Sequence, residues 1–148
     1  MEPSREHIDG FAVTGHTVRT TNREESDLAT ARIGALWGRF FADPTLQSTP
    51  QRSDHAHNYG VYSNYESDAH GAFDVTAGVA VARDGPVKVE AGDYLVWSGT
   101  GPMPQAVLGA WQRIWDYFDA HPDIVRRYVS DFEAYTSPTD VKVWIGVE

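Results

Sequence analysis

Two stretches of the chain repeat their apolar residues at helical spacing. From Leu28 to Ala42, residues Ala29, Ile33, Leu36, Trp37 and Phe40 recur three and four positions apart, which draws one apolar helix face. Ser26 or Asp27 can cap this helix and Asp43-Pro44 ends it. From Val107 to Phe118, Val107, Trp111, Ile114, Trp115 and Phe118 do the same, with Pro104 suited to the first turn and His121-Pro122 closing it. The remaining apolar residues follow the period of a strand. Phe11–Thr20 is β-branched and free of proline, and Tyr59–Glu66 and Phe73–Val81 are joined by a short polar turn as a hairpin. Val87–Glu90 and Asp93–Ser98 form a strand interrupted by Ala91-Gly92. Tyr128–Tyr135 and Val141–Val147 form a last hairpin around Thr-Ser-Pro-Thr-Asp. Thr45–Asn58 is polar with no period, a loop placed to cover something.

Strand, helix, strand, strand thus occurs twice. The pattern predicts a single domain over residues 1–148 in two modules, the first about 8–82 and the second about 87–147. The expected fold class is α+β: two strand-helix-strand-strand modules about a pseudo-two-fold axis, a mostly antiparallel sheet, and a central cleft of the kind small ligands favour. Alternation along the last hairpin puts Asp131, Glu133 and Tyr135 on one face and Ser130, Phe132 and Ala134 on the other. If that first face is enclosed, Glu133 is costly to keep ionised without a partner, and a bound cation is a natural one. Glu66 is its counterpart in the first half, with Tyr62 on its face. The candidate ligand-binding set is Glu133, Tyr62, Tyr65, Glu66, Trp97, Trp111, Tyr135 and Trp144. Trp37 and Phe40 are assigned to the core by their helical spacing. Trp111 and Trp115, four apart, share a side that also suits core, though one can border the cleft. Trp144 alternates against Val143 and Ile145 and is expected to face away from them.

Composition narrows the function classes. The 148 residues carry 12 Lys and Arg against 21 Asp and Glu, a net charge of −9, and the basic residues are scattered. That argues against direct nucleic-acid binding, which needs clustered cations. With no cysteine, disulfides, thiol nucleophiles and cysteine metal sites are excluded. No apolar leader or span is evident, so no membrane association is expected and the location is read as cytoplasmic. His55-Ala56-His57 beside Asp54 lacks further ligands at convincing spacing, so no metal is expected. Gly99-Thr100-Gly101 lacks the lysine of a phosphate loop, and no cofactor is expected. Asp116, Asp119 and Asp123 read as a solvated face.

Taken together, Gly15 with Val18-Arg19-Thr20, Ile33 with Leu36-Trp37 and Phe40-Phe41, Tyr59–Asp68, Val75–Val79, Tyr94-Leu95-Val96, Trp111 with Ile114-Trp115, Asp131–Tyr135 and Ile145-Gly146-Val147 resemble the GyrI-like or AraC-type effector-binding domain. The likeness is greatest to its stand-alone, integron-cassette members and covers about Phe11 to Val147. It implies a pocket glutamate among aromatic rings on the penultimate strand, which corresponds to Glu133, and a lipophilic cation as the small-molecule ligand, often of several chemical types. Cation–π contacts of about 0.5–2 kcal/mol each accommodate such variety. Many relatives carry a DNA-binding helix-turn-helix for transcription regulation. This chain has no room for one, so a link to DNA would need a separate DNA-binding regulator. Some GyrI-like relatives hydrolyse cyclopropane-containing genotoxins with a glutamate and a tyrosine. Non-catalytic binding is the preferred expectation, and hydrolysis by Glu133 with Tyr62 or Tyr135 the alternative.

Overall fold

The structure, a computed structural model, describes residues 3–47, 58–81 and 85–148. The elements run β1 (Ser4–Ile8), β2 (Phe11–Thr20), α1 (Asn22–Glu25), α2 (Ile33–Phe41), α3 (Pro44–Gln47), β3 (Asn58–Ser63), β4 (Phe73–Val81), β5 (Val87–Val89), β6 (Gly92–Thr100), α4 (Gln105–Ala120), β7 (Arg126–Ser137) and β8 (Asp140–Val147). The strands form one curled sheet in the order β1-β6-β8-β7-β3-β4-β2-β5. Every pairing between them is antiparallel.

The sheet is symmetric about its middle. β3 and β7 adjoin there, with Gly60 opposite Glu133 and Val61 opposite Phe132. Outward from this seam come β4 and β2 on one side and β8 and β6 on the other. Each half is a strand-helix-strand-strand module, so the α+β duplication expected from the pattern is the architecture found. The short leading strands are exchanged: β1 pairs with β6 of the second half, and β5 with β2 of the first.

Both main helices lie on one face of the sheet. α2 packs on β2 and β4, and α4 on β6 and β8. Leu36 and Phe40 of α2 meet Val75, Ala77 and Val79. Val107, Ala110 and Ile114 of α4 meet Trp97, Val141, Val143 and Ile145. The opposite face holds Val13, Tyr59, Val61, Tyr94, Phe132 and Ala134. Burying each large side chain of these clusters contributes roughly 1.5–3 kcal/mol against the entropy of ordering the chain.

Several expectations are corrected. The first main helix begins at Ile33, not Leu28, and Leu28 is 98% exposed. The reason is the carboxylate of Glu25, anchored by the Thr20 hydroxyl at 2.6 Å, which accepts the N–H groups of Arg32 at 2.9 Å and Ile33 at 3.2 Å. Donors that an earlier helical turn would have engaged are satisfied there instead. β1 lies outside the predicted strands because its sequence, Ser-Arg-Glu-His-Ile, has no apolar alternation. It adds to the sheet edge by backbone pairing, with Arg5 and His7 each reaching a different oxygen of Asp93 at 2.9 Å. The segment read as a loop from Thr45 begins inside α3. Its remainder, 48–57, with Asp54, His55 and His57, lies outside the described residues.

Candidate functional site

α2 and α4 cover the two flanks of the sheet, and the floor between them is the β3–β7 seam. Glu133 of β7 points up from this seam. It is 4% exposed, a carboxylate taken almost wholly out of water. Three neutral donors surround it. Tyr62 of β3 donates its hydroxyl to Oε2 at 2.9 Å, and the Trp111 indole N–H of α4 donates to the same oxygen at 2.7 Å. Tyr135 of β7 donates to Oε1 at 2.8 Å. Among the described residues, no Lys, Arg or His pairs with it.

Burial lifts the Glu133 carboxyl above the usual carboxylate range, and the hydrogen bonds from Trp111, Tyr135 and Tyr62 pull it partly back. The Tyr62 and Tyr135 hydroxyls are driven far above the ordinary phenol range, first by burial and then by the neighbouring Glu133 charge. They therefore remain donors throughout the working pH range. An array of two phenols and an indole, all donating, favours the ionised form of the acid they surround.

Aromatic rings extend the site outward. Tyr62 and Trp111 meet edge to face at 5.3 Å, and Trp37 of α2 meets Tyr135 in the same manner at 5.2 Å. Phe41 and Trp115, one turn further along each helix, lie 5.9 Å from Trp37 and Trp111 and are 61% and 41% exposed. Two aromatic pairs thus flank Glu133, one on each helix. Gly60 makes the floor possible: a Cβ there would lie 2.8 Å from Glu133 Oε1 and 3.2 Å from Trp37 Cζ2. The absence of a side chain lets the glutamate lie over the strand with the indole beside it.

The structure brings together Glu133, Tyr62, Trp111 and Tyr135 from the candidate set. Tyr65 sits beside them and serves a different acid, donating its hydroxyl to Asp131. Trp97, Trp144 and Glu66 are not brought to Glu133. Trp97 shares the helix-bearing face but lies under α4, 5.5 Å from Tyr117 and 6.0 Å from Phe118. Trp144 points to the opposite face, stacked on Phe132 at 5.3 Å. It does face away from Val143 and Ile145, but Glu133 pairs directly with Val143 and Phe132 with Trp144. Directly opposed residues share a face, so the side that Trp144 avoids is the side of Glu133. Glu66 lies beyond the end of β3, exposed, with its carboxylate accepting the Ala72 N–H at 3.2 Å to close the turn. The place across the seam from Glu133 belongs to Gly60.

Sequence reasoning gave Gly60 no role and assigned Trp37 to the core; Trp37 does pack half-buried against the Leu36 and Phe40 cluster, and it also meets Tyr135. Leu36 and Phe40 are the buried pair of α2, whereas Trp37 and Phe41 are each one residue further round. The second i, i+4 aromatic pair was the available signal. A cavity of about 490 Å³ opens elsewhere, lined by Ser63, Asn64, Val87, Lys88 and Tyr128 among others. Neither Glu133 nor its three donors line it.

A profile of integron-associated effector binding proteins matches residues 6–147. The chain belongs to this family. Its members bind small-molecule effectors, and the solved structures agree in fold. An integron cassette protein from the mobile metagenome of Vibrio cholerae is 41% identical, with a TM-score of 0.83 over 99% of this chain and 96% of that one. A protein solved bound to tetraphenylphosphonium is 16% identical, with a TM-score of 0.78 over 100% and 94% of the two chains. A bacterial transcription regulation protein from Staphylococcus aureus MU50 is 17% identical, with a TM-score of 0.79 over 100% and 99%. No curated protein matches the sequence. Among the described residues, no helix is long and apolar enough to cross a membrane.

Proposed function

We propose that this effector-binding protein takes up bulky lipophilic cations between α2 and α4, with Glu133 as the counter-charge and Trp37, Tyr62, Trp111 and Tyr135 as the walls. The observation that carries this reading is the buried carboxylate of Glu133, held by three neutral donors and, among the described residues, by no cationic side chain. An ionised group removed from water without a counter-ion stores a cost that a bound cation relieves. The surrounding rings offer π-faces that attract positive charge without demanding one ligand shape. Apolar substituents of the guest bury against the same rings, at about 25 cal/mol per Å² removed from water. A fold relative of this chain was solved with tetraphenylphosphonium, a cation of that class.

The test is titration calorimetry with tetraphenylphosphonium, followed in parallel by tryptophan fluorescence. Wild-type protein binds, Glu133→Gln loses at least about tenfold in affinity, equivalent to about 1.4 kcal/mol, and Glu66→Gln binds as wild type. Equal affinity in all three proteins would remove Glu133 from the site.

A further inference from the structure

Glu133 is not the sole buried acid on its face of β7. Asp131, two positions away, is fully buried, and strand geometry separates the two residues by about 7 Å. Their surroundings differ in kind. Asp131 Oδ1 accepts the Gly146 N–H at 2.8 Å, and Oδ2 accepts the Tyr65 hydroxyl and Arg126 Nη2, the latter at 2.7 Å. Arg126 is itself 9% exposed at its side chain, and its guanidinium lies over the Tyr128 ring at 4.4 Å. The chain is bent to achieve this. The β7–β8 register is interrupted between Arg126 and Asp131, and Tyr128 within the interruption has φ of 53°. Bulges re-aim side chains, and a bulky residue at positive φ is held there by its surroundings at a cost. Here the bend carries Arg126 back onto an acid five residues ahead.

We propose that the Asp131–Arg126 pair sets the formal charge a guest meets at Glu133, so that both residues determine specificity for singly charged cations without touching the ligand. This rests on the binding role of Glu133. Asp131 and Arg126 sum to zero and Glu133 contributes one negative charge. The phenols of Tyr62, Tyr65 and Tyr135 are held far above the ordinary range, first by burial and then by the neighbouring carboxylates, and stay neutral. Arg127, the adjacent cation, lies over the Tyr94 ring and donates to the Ala91 and Asp93 carbonyls on the opposite face. The buried cluster therefore carries one net negative charge, which one positive charge balances. A dication would leave a positive charge unmatched in a poorly solvated site. Had Asp131 been neutral, the charges of Arg126 and Glu133 would sum to zero, and a cationic guest would meet no net charge in the cluster.

Three variants separate this charge role from a packing role: Asp131→Asn, Arg126→Met and the charge-balanced double variant. Two readouts are used, tetraphenylphosphonium affinity and the ¹³C NMR titration of the Glu133 carboxyl without ligand. Asp131→Asn is expected to weaken binding by about tenfold or more, as a unit charge at this range dictates at an effective dielectric near 20, and to lower the Glu133 titration midpoint. Arg126→Met, which leaves two unbalanced carboxylates, is expected to raise that midpoint and to improve the affinity for a bis-quaternary dication relative to the monocation. The double variant restores the wild-type midpoint and binds within about threefold of wild type. If one single variant does not fold, the other and the double variant still decide the question. A midpoint that stays put in the single variants, or a double variant as weak as Asp131→Asn, overturns the inference. Failure of wild-type protein to bind the cation would instead overturn the function proposed for Glu133, and the titration, which needs no ligand, would still show whether the pair sets its charge.

Discussion

Phe132 and Glu133 are neighbours on one strand, and each is enclosed by aromatic rings, yet the two enclosures are opposite in character. Around Phe132 ring packs on ring: Phe11 lies at 5.2 Å, Tyr94 at 5.7 Å, Tyr59 at 6.2 Å and Trp144 at 5.3 Å. The Tyr94 hydroxyl turns aside to the Glu90 carbonyl at 2.6 Å, and the buried cluster holds no carboxylate among the described residues. Around Glu133 the rings of Tyr62, Trp111 and Tyr135 aim their O–H and N–H groups at a single carboxylate. Aromatic content does not distinguish a core from a binding site. What the polar tips of the rings point at does.

The sharpest way to break this comparison is to empty each enclosure in turn. Phe132→Ala should cost about 3–5 kcal/mol of stability in urea denaturation, as expected for a buried aromatic cut to alanine, while the folded fraction keeps its cation affinity. Loss of affinity at unchanged stability would contradict the division of labour. Glu133→Gln should do the reverse, with affinity falling and stability at neutral pH holding or rising.

The pH dependence distinguishes the faces further. The folded-state carboxyl of Glu133 titrates above its ordinary value because burial disfavours its charge. The folded chain therefore holds this proton at pH values where the unfolded chain has released it. Stability from this source is full below the ordinary carboxylate value and is lost as pH rises through the folded one. Cation affinity moves the opposite way across the same window, since binding needs the ionised form. Both trends should vanish in Glu133→Gln and persist in Phe132→Ala, as thermal melts and calorimetry across pH 4–8 would report.

Smaller effects refine the picture. Trp111→Phe keeps a ring but removes a donor, which should cost about 1–2 kcal/mol and shift the rise of affinity to higher pH. NMR titration of the Glu133 carboxyl provides the check. Trp144→Phe should lower stability by a similar amount through lost packing and, smallest of all in binding, leave tetraphenylphosphonium affinity within error. A weakened affinity there would tie the two faces together.

Alternation along β7 was readable from the sequence because a strand has period two and no exceptions intervene from Ser130 to Tyr135. The two helices and the duplicated order of elements were readable for the same kind of reason, a regular period. What failed depended on partners remote in the chain. The face of Trp144 follows from its register with Phe132, which no local pattern encodes. Helix α2 starts late because Glu25, eight residues before Ile33, reaches across to hold its first donors. Trp37 sits on the margin of an apolar face, where a helix period cannot tell a residue that only packs in the core from one that also borders Glu133. Gly60 matters through an atom it lacks, and that shows only once Glu133 lies across it.

The exchange of β1 and β5 between the halves has a mechanical result. Each half holds the outer border of the other, and the seam beneath Glu133 is an uninterrupted ladder of backbone hydrogen bonds. Prising the halves apart like a clamshell would mean unzipping that ladder and unlatching both borders together. On the function proposed here, adjustment to guests of different bulk would fall to the indoles of Trp37 and Trp111 and the helices that carry them, above a base held by that ladder.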